Sequence, residues 1–464
     1  MNPNPFSTLP LQTDLLQTLD RIGFAQMTPI QQLALPVILQ GKDIIAQAQT
    51  GSGKTAAFAL GILQSLEVSR FRIQALVLCP TRELADQVAN DIRTLGSSRH
   101  NIKVLTLCGG VPIGPQIGSL QHGAHIIVAT PGRLIDHLDK GRLDFSSLRM
   151  LVLDEADRML DMGFSEALQT IVATLPAARQ TLLFSATYSA EVQKTAESFL
   201  QAAQHITVQT DAGKPDIAEF FYPVGNEQAR WQALQLLLLQ YQPDAALVFC
   251  TTRQQTQTLA DTLGQAGFSA LPLHGDLEQR QRDQSLILFN NGSINILVAT
   301  DVAARGLDIE AMDLVINYQP ANDPDVYTHR IGRTGRAGRK GVACTLFSAA
   351  EAHKLARLPD RDPLQNPDSL PDRSALARKP RSPQMQTLEI AGGKKDKLRA
   401  GDIVGALTRD NAIQGSDIGR ITVNERRSFV AVRTQALQPA LTLLAAGIKG
   451  RSFRARVVNP AGNM

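Results

Sequence analysis

The stretches AQTGSGKT (48–55) and VLDEAD (152–157) hold the residues best suited to chemistry. In the first, Gly51, Ser52 and Gly53 precede Lys54 and Thr55, matching G-x-x-x-x-G-K-[ST] with Ala48 in place of the first glycine. Glycines there let backbone N–H groups turn inward and cradle phosphate oxygens at a helix N-terminus. Lys54 would reach the β/γ-phosphates, and Thr55 would offer its hydroxyl to Mg²⁺. The apolar run AAFALGIL follows at once, as such a helix requires. In the second stretch, the strand MLVL delivers Asp154 and Glu155 to its carboxyl end, where ligands bind in parallel sheets. Asp154 would hold Mg²⁺, and Glu155 would orient and deprotonate an attacking water. DEAD alone reads as an acidic cluster at a helix start. A phosphate loop 100 residues upstream, Lys54 against Asp154, shifts the balance to phosphoryl transfer.

These side chains need a scaffold to bring them together. From about Phe24 to Ala350, short apolar strands alternate with helical stretches. ALVLCP (75–80), HIIVATP (125–131), MLVLDEAD (150–157) and TLLFSAT (181–187) form one series. ALVFCTT (246–252), ALPLHGD (270–276), ILVATD (296–301) and LVINYQ (314–319) form a second. Unbroken apolar strands, each followed by a helix, read as parallel strands buried on both faces, so two doubly wound α/β domains are expected. The first covers residues 1–210 and the second 211–354, with the break at DAGKPD (211–216). Residues 355–384 contain six prolines and few long apolar side chains, and read as a flexible linker to a third domain at 385–459.

The chain's 464 residues suffice for these domains. No run of eighteen apolar residues suggests a transmembrane helix. MNPNPFSTLP lacks a basic n-region before an apolar stretch, so no secretory signal is expected. Cys79, Cys108, Cys250 and Cys344 are scattered with no CxxC pair, which argues for a reducing compartment, a cytoplasmic location and no zinc site. They read as buried small residues on strands. The net charge of +4 is unevenly spread: residues 385–464 carry +7 and residues 1–384 carry −3. A basic tail on a slightly acidic body suggests an anionic partner for the tail, against the plainer reading of a solvated basic surface.

Further motifs appear in order. GFAQMTPIQ (23–31) lies downstream of Phe6, and PTRELA (80–85), GG (109–110), TPGR (130–133), DEAD (154–157) and SAT (185–187) follow. The second half shows VFCTT (248–252), HGDLEQRQR (274–282), ATDVAARGLD (299–308) and HRIGRTGR (329–336). Together they resemble the DEAD-box family of ATP-dependent RNA helicases across nearly all of residues 6–347. The resemblance implies two tandem RecA-like domains that use ATP and Mg²⁺. Gln31 can both accept from and donate to adenine's N6/N7 edge. Phe6 could stack on the base or serve as a packing anchor. Gly306 and Asp308 match the position near the ribose. Arg333 and Arg336 look like arginine fingers that stabilise the transferred γ-phosphoryl group from the second domain. Ser185 and Thr187 resemble couplers between the ATP site and RNA. Pro80, Thr81, Arg82, Gly109, Gly110, Thr130, Gly132 and Arg133, with Thr251, Gly275 and Thr300 in the second domain, fall where strands end and helices begin. Such positions suit phosphate contacts that carry no sequence information.

Residues 386–458 read as β-α-β-β-α-β, an RRM-like α+β pattern. In SFRARVV, Phe453, Ala455 and Val457 alternate with Arg454 and Arg456, one face apolar and the other cationic. An RRM sheet usually stacks bases on two or three aromatics, whereas RRSFVAVR offers only Phe429, expected to face inward. RNA contacts are expected instead from Lys394, Lys395, Lys397, Arg399, Arg420, Arg427, Arg454 and Arg456. GGKKDKLRAGDIVGALT and SDIGRITV are similar to the RNA-binding domain of DbpA-type helicases. That resemblance implies a hairpin of 23S rRNA as target, large-subunit assembly intermediates as partners, and tethering of a sequence-blind motor to one structure. A monomer is favoured, with neither membrane nor DNA expected as partner. An ATP-gated RNA-binding clamp or RNA chaperone that unwinds little would carry the same motifs.

Overall fold

The computed structural model describes residues 4–48, 51–208, 216–304, 312–335, 340–358, 364 and 367–459. The chain divides into two compact units near residue 211. The first holds strands β1 (Ile44–Gln47), β2 (Ala75–Leu78), β3 (Val104–Leu107), β4 (Ile126–Ala129), β5 (Met150–Leu153), β6 (Gln180–Ser185) and β7 (Gln204–Thr207). They pair in parallel in the order β3-β4-β2-β5-β6-β1-β7. Alternate residues feed two cores: Val77, Val128 and Val152 pack on one face, and Leu76, Leu78, Ile127 and Leu153 on the other. Helices cover both faces, which is why these strands carry no polar alternation.

The second unit opens with β8 (Ile217–Pro223), β9 (Ala246–Cys250), β10 (Ala270–Leu273), β11 (Ile296–Thr300), β12 (Leu314–Asn317) and β13 (Gly341–Phe347). This parallel sheet runs β10-β11-β9-β12-β13-β8. A third domain follows with β14 (Met385–Ile390), β15 (Ile418–Val423), β16 (Ser428–Arg433) and β17 (Ala455–Val457), antiparallel in the order β15-β16-β14-β17. The architecture is thus two RecA-like parallel-sheet domains followed by a small antiparallel α+β domain. Among the described residues no helix is long and apolar enough to cross a membrane. All four cysteines are free and buried, and burial pushes the thiols of Cys108, Cys250 and Cys344 up to about 12.

Two expectations change at the carboxyl side. The proline-rich stretch expected to be a flexible linker is, where described, packed on the second domain. Asp368 exchanges hydrogen bonds with Phe221 on the edge strand β8, its N–H donating to the Phe221 carbonyl (2.8 Å) and its carboxylate accepting from the Phe221 N–H (2.7 Å). An edge strand leaves backbone groups unpaired, and an extended proline-rich segment can satisfy some of them without regular structure. Leu370 and Ala375 then join the core under helix Glu227–Tyr241. The second change concerns Phe429. Its neighbours Val430 and Val432 alternate, with Val430 opposite Leu388 of the core, so Phe429 lies on the outer face, cross-strand from Glu389.

A close backbone approach explains Gly393, the second glycine of the pair in this domain. A Cβ on Gly393 would lie 2.2 Å from the Asn424 carbonyl oxygen and 2.7 Å from the Arg426 nitrogen. Lys394 and Lys395 N–H groups donate to the Asn424 and Glu425 carbonyls (2.9 and 3.0 Å), fixing that approach. Gly393→Ala is expected to destabilise the third domain by about 1–3 kcal/mol. Thermal melts of the full chain check this, and an unshifted transition for the third domain would refute it.

Candidate active site and nucleic-acid interface

The phosphate-loop residues emerge from the carboxyl end of β1. Gly51 (φ +84°) and Gly53 (φ +93°) take left-handed conformations that other residues reach only with strain, and helix Lys54–Ser65 starts directly after them. Lys54 is 6% exposed, and its Nζ is buried without a hydrogen-bond partner among the described residues. A buried ammonium is costly unless paired, so this atom fits an anion held over the loop. Thr55 follows at the first helical turn. Gln31 is buried beneath the loop: its Oε1 accepts from Thr28 N–H (2.9 Å) and its Nε2 donates to the Gly53 carbonyl (3.1 Å). One amide N–H and one lone pair remain for a base. Phe6 is 3% exposed and packs within the core cluster of the first domain.

Asp154 continues the ladder of β5, its N–H donating to the Leu78 carbonyl (3.0 Å). Burial pushes its carboxyl up to about 7, opposed by the charge of Lys54. A cation bound there would favour the ionised form. Glu155 adopts a left-handed backbone (φ +52°), a strained choice for a non-glycine residue. Its carboxylate is held by the Arg158 guanidinium, so the turn points the acid rather than letting it swing.

Asp157 is the hub that the sequence did not single out. Its Oδ2 accepts from Ala186 N–H (3.0 Å), Thr187 N–H (2.9 Å) and the Thr187 hydroxyl (3.0 Å). Ser185 Oγ in turn donates to the Thr187 carbonyl (2.7 Å). The SAT segment is therefore tied to the acidic turn by one carboxylate, an adjacency that exists because β5 pairs with β6. Burial works against the charge of Asp157, but the Thr187 N–H, the Lys54 ammonium and the two hydroxyls outweigh it. They hold the carboxyl below the ordinary aspartate value of 3.8. The stabilisation is fully present above that value and is lost as pH falls through the lower folded value. Protection of the Ala186 and Thr187 amides, measured relative to their intrinsic exchange rates, should therefore be lost only in acid below that window. Loss of protection beginning near neutral pH would refute the assignment.

Strand order sorts the remaining residues. Pro80, Thr81 and Arg82 follow β2; Gly109 and Gly110 follow β3; Thr130, Gly132 and Arg133 follow β4. These three strands are neighbours at one side of the sheet, whereas β5, β6 and β1, which carry the phosphate-site residues, are neighbours at the other. Thr81 caps helix Arg82–Leu95, and no atom would crowd a Cβ at Gly109 or Gly132, leaving open backbone at two strand ends. Arg133 donates to the Val111 carbonyl (3.1 Å), and Arg82 pairs with Asp86 (3.4 Å). In the second domain Thr251, Gly275 and Thr300 end the adjacent strands β9, β10 and β11. Arg333 is 7% exposed and follows helix Pro324–Ile331; Gly306, Asp308 and Arg336 lie outside the described residues. Arg330, unremarked in the sequence, is buried and fastened to Asp301.

In the third domain Lys394, Lys395, Lys397, Arg399, Arg420, Arg427, Arg454 and Arg456 are all exposed. Two of them share a partner on the outer sheet face. Glu389, 8% exposed, pairs with Arg427 (3.0 Å) and Arg456 (2.7 Å). No periodicity signals that carboxylate, since its burial depends on strand partners 40 and 67 residues away.

Comparison with known proteins agrees with this geometry. Residues 28–195 match the DEAD/DEAH box helicase family, 229–338 the helicase conserved C-terminal domain and 387–457 the DbpA RNA binding domain. The chain is 49% identical to the ATP-dependent RNA helicase DbpA of Escherichia coli K12, over 98% of this chain and 99% of that protein. It belongs to the DEAD-box family of RNA helicases. This helicase is also 43% identical to the DEAD-box ATP-dependent RNA helicase CshA of Geobacillus kaustophilus over 75% of each chain. The Saccharomyces cerevisiae Dbp5 structure bound to RNA and ADP BeF3 superposes with a TM-score of 0.66 at 33% identity, covering 74% of this helicase and 89% of Dbp5. The helicase uses ATP to act on RNA through its first two domains and carries a DbpA-type RNA-binding domain at its end.

Proposed function

We propose that this RNA helicase is directed by its third domain to a hairpin of 23S rRNA, opens short duplexes near it, and so assists assembly of the large ribosomal subunit in the cytoplasm. The observation that carries this reading is the DbpA RNA binding domain at 387–457, whose exposed basic residues include the eight named above. Phosphate contacts from such residues supply affinity. The open strand ends of the first two domains suit backbone contacts that position RNA without reading its sequence.

In the catalytic step, Gly51, Ser52 and Gly53 hold the phosphates through backbone N–H groups, and Lys54 neutralises them. Gln31 orients the base; Gly306 and Asp308 serve the ribose. Thr55 and Asp154 would hold Mg²⁺, which when bound neutralises charge on the phosphate oxygens. Glu155 accepts a proton from the attacking water at its carboxylate. Arg333 and Arg336 from the second domain stabilise the transferred phosphoryl group, so neither domain alone completes hydrolysis. Asp157 relays the state of this site to Ser185 and Thr187.

ATP turnover should be stimulated more by ribosomal RNA containing the hairpin than by an unrelated RNA of equal length. Removing residues 385–464 should abolish that preference and leave RNA-stimulated turnover in place. Equal stimulation of the intact protein by both RNAs would sink the 23S reading.

A further inference from the structure

The outer face of the third-domain sheet is covered at one end by the second domain. On β14, Leu388 and Ile390 enter the core, so Met385, Thr387 and Glu389 point the other way. Thr387 is nonetheless fully buried. Its hydroxyl meets Asn291 Nδ2 at 3.1 Å and Ser293 Oγ at 2.7 Å. Asn291 and Ser293 flank Gly292 (φ +66°) in the turn after helix Gln279–Asn290, and are 4% and 5% exposed. Met385 lies against the same turn, 3.7 Å from where a Cβ on Gly292 would stand.

The connecting segment is fastened as well. Arg378 donates to the Leu239 and Gln240 carbonyls, and Gln242 donates to the Lys379 carbonyl (3.1 Å). Arg381 donates to the Gln242 carbonyl and pairs with Asp244 (2.7 Å). Only Ser382, Pro383 and Gln384 separate the last of these anchors from β14. Three residues reach about 10 Å when extended, too little for free reorientation.

We propose that Thr387 is a positioning residue. With Asn291 and Ser293 it latches the third domain in one orientation on the second, so that RNA gripped by the third domain is presented at a fixed offset from the strand ends of β9, β10 and β11. The latch is polar and buried. Thr387→Val keeps its shape but leaves the Asn291 and Ser293 side chains unpaired when docked, shifting the docked-to-undocked ratio by roughly tenfold. An undocked domain still binds its hairpin, but the offset becomes a distribution.

The test uses the full chain with spin labels at Gln265→Cys and Ala445→Cys, both exposed positions; the native cysteines are buried. A single narrow distance is expected in the parent and in Thr387→Ser, and a broadened distribution in Thr387→Val and in Ser293→Ala, which approaches the latch from the other side. A broad parent distribution, or narrow ones in both variants, overturns the proposal. A second arm rests on the targeting reading. Hairpin RNA derived from 23S rRNA is joined to a short duplex through single-stranded spacers of graded length. The parent should show an optimum spacer, and Thr387→Val a flattened profile with about tenfold slower unwinding at that optimum and unchanged hairpin affinity. A flat parent profile overturns the latch. Absence of hairpin binding by the parent overturns the targeting reading alone, and the distance measurement then decides the latch.

Discussion

Lys54→Ala will cut RNA-stimulated ATP turnover by about 10²–10³-fold while leaving the protein at least as resistant to heat. The two halves of this expectation come from one observation, a buried ammonium that makes no hydrogen bond among the described residues and has the charges of Asp154 and Asp157 near it. In the folded protein that group has lost water and gained no hydrogen bond, so its removal sheds a desolvation cost. When phosphates arrive it becomes their buried counter-charge, at a site where electrostatic stabilisation is strong because water is excluded. A lysine kept for stability would show the opposite pattern, a lowered melting temperature with turnover falling only in proportion. Steady-state turnover with saturating RNA, measured beside calorimetry, separates the two. Turnover within tenfold of the parent would refute the assignment.

Arg330→Ala should destabilise the second domain by about 3–5 kcal/mol. Its guanidinium makes a two-pronged pair with Asp301 (2.6 and 2.8 Å), and Nη1 donates to Asn317 Oδ1 (3.1 Å) and to the Gln319 carbonyl (2.8 Å). It also lies 5.1 Å from the Phe249 ring centroid. Phe249 belongs to β9, Asp301 follows β11 and Asn317 ends β12, so one side chain pins three adjacent strand ends. Truncation strands a carboxylate and two acceptors at once. Arg330→Lys should rescue little, because an ammonium cannot reproduce the fork. Adding Asp301→Asn to Arg330→Ala should recover part of the loss, since the orphaned charge is then gone. Urea unfolding followed by the single tryptophan, Trp231 on helix Glu227–Tyr241, reports on this domain. A loss below about 1 kcal/mol, the range of an exposed ion pair, would contradict the burial argument.

HRIGRTGR shows where linear reading stops. Its arginines are chemically alike, and the family resemblance picked Arg333 and Arg336 for chemistry. Nothing local marks Arg330 as the structural member, because its partners lie at the ends of three strands remote from it in the chain. Asp157 is a similar case: it was legible as a letter of DEAD, but its three bonds to the SAT segment need β5 beside β6. Gln31 and Phe6 were legible as residues of one motif, yet their burial follows from packing under the phosphate loop and against the first core.

The sequence by itself determined the number and type of the domains, the phosphate loop, the acidic turn and the ends of the strands. Those features are local: a strand buried on both faces must be apolar throughout, and a phosphate cradle needs glycine beside lysine. Tertiary structure alone decided which strands are neighbours, and hence that the residues proposed for the phosphate site and those proposed for RNA occupy opposite halves of one sheet edge. It also decided that the proline-rich segment packs rather than swings, that Phe429 faces outward, and that Thr387 is buried against a turn 96 residues away. Each of these depends on contacts between residues far apart in the chain, and no local pattern of side chains encodes such a contact.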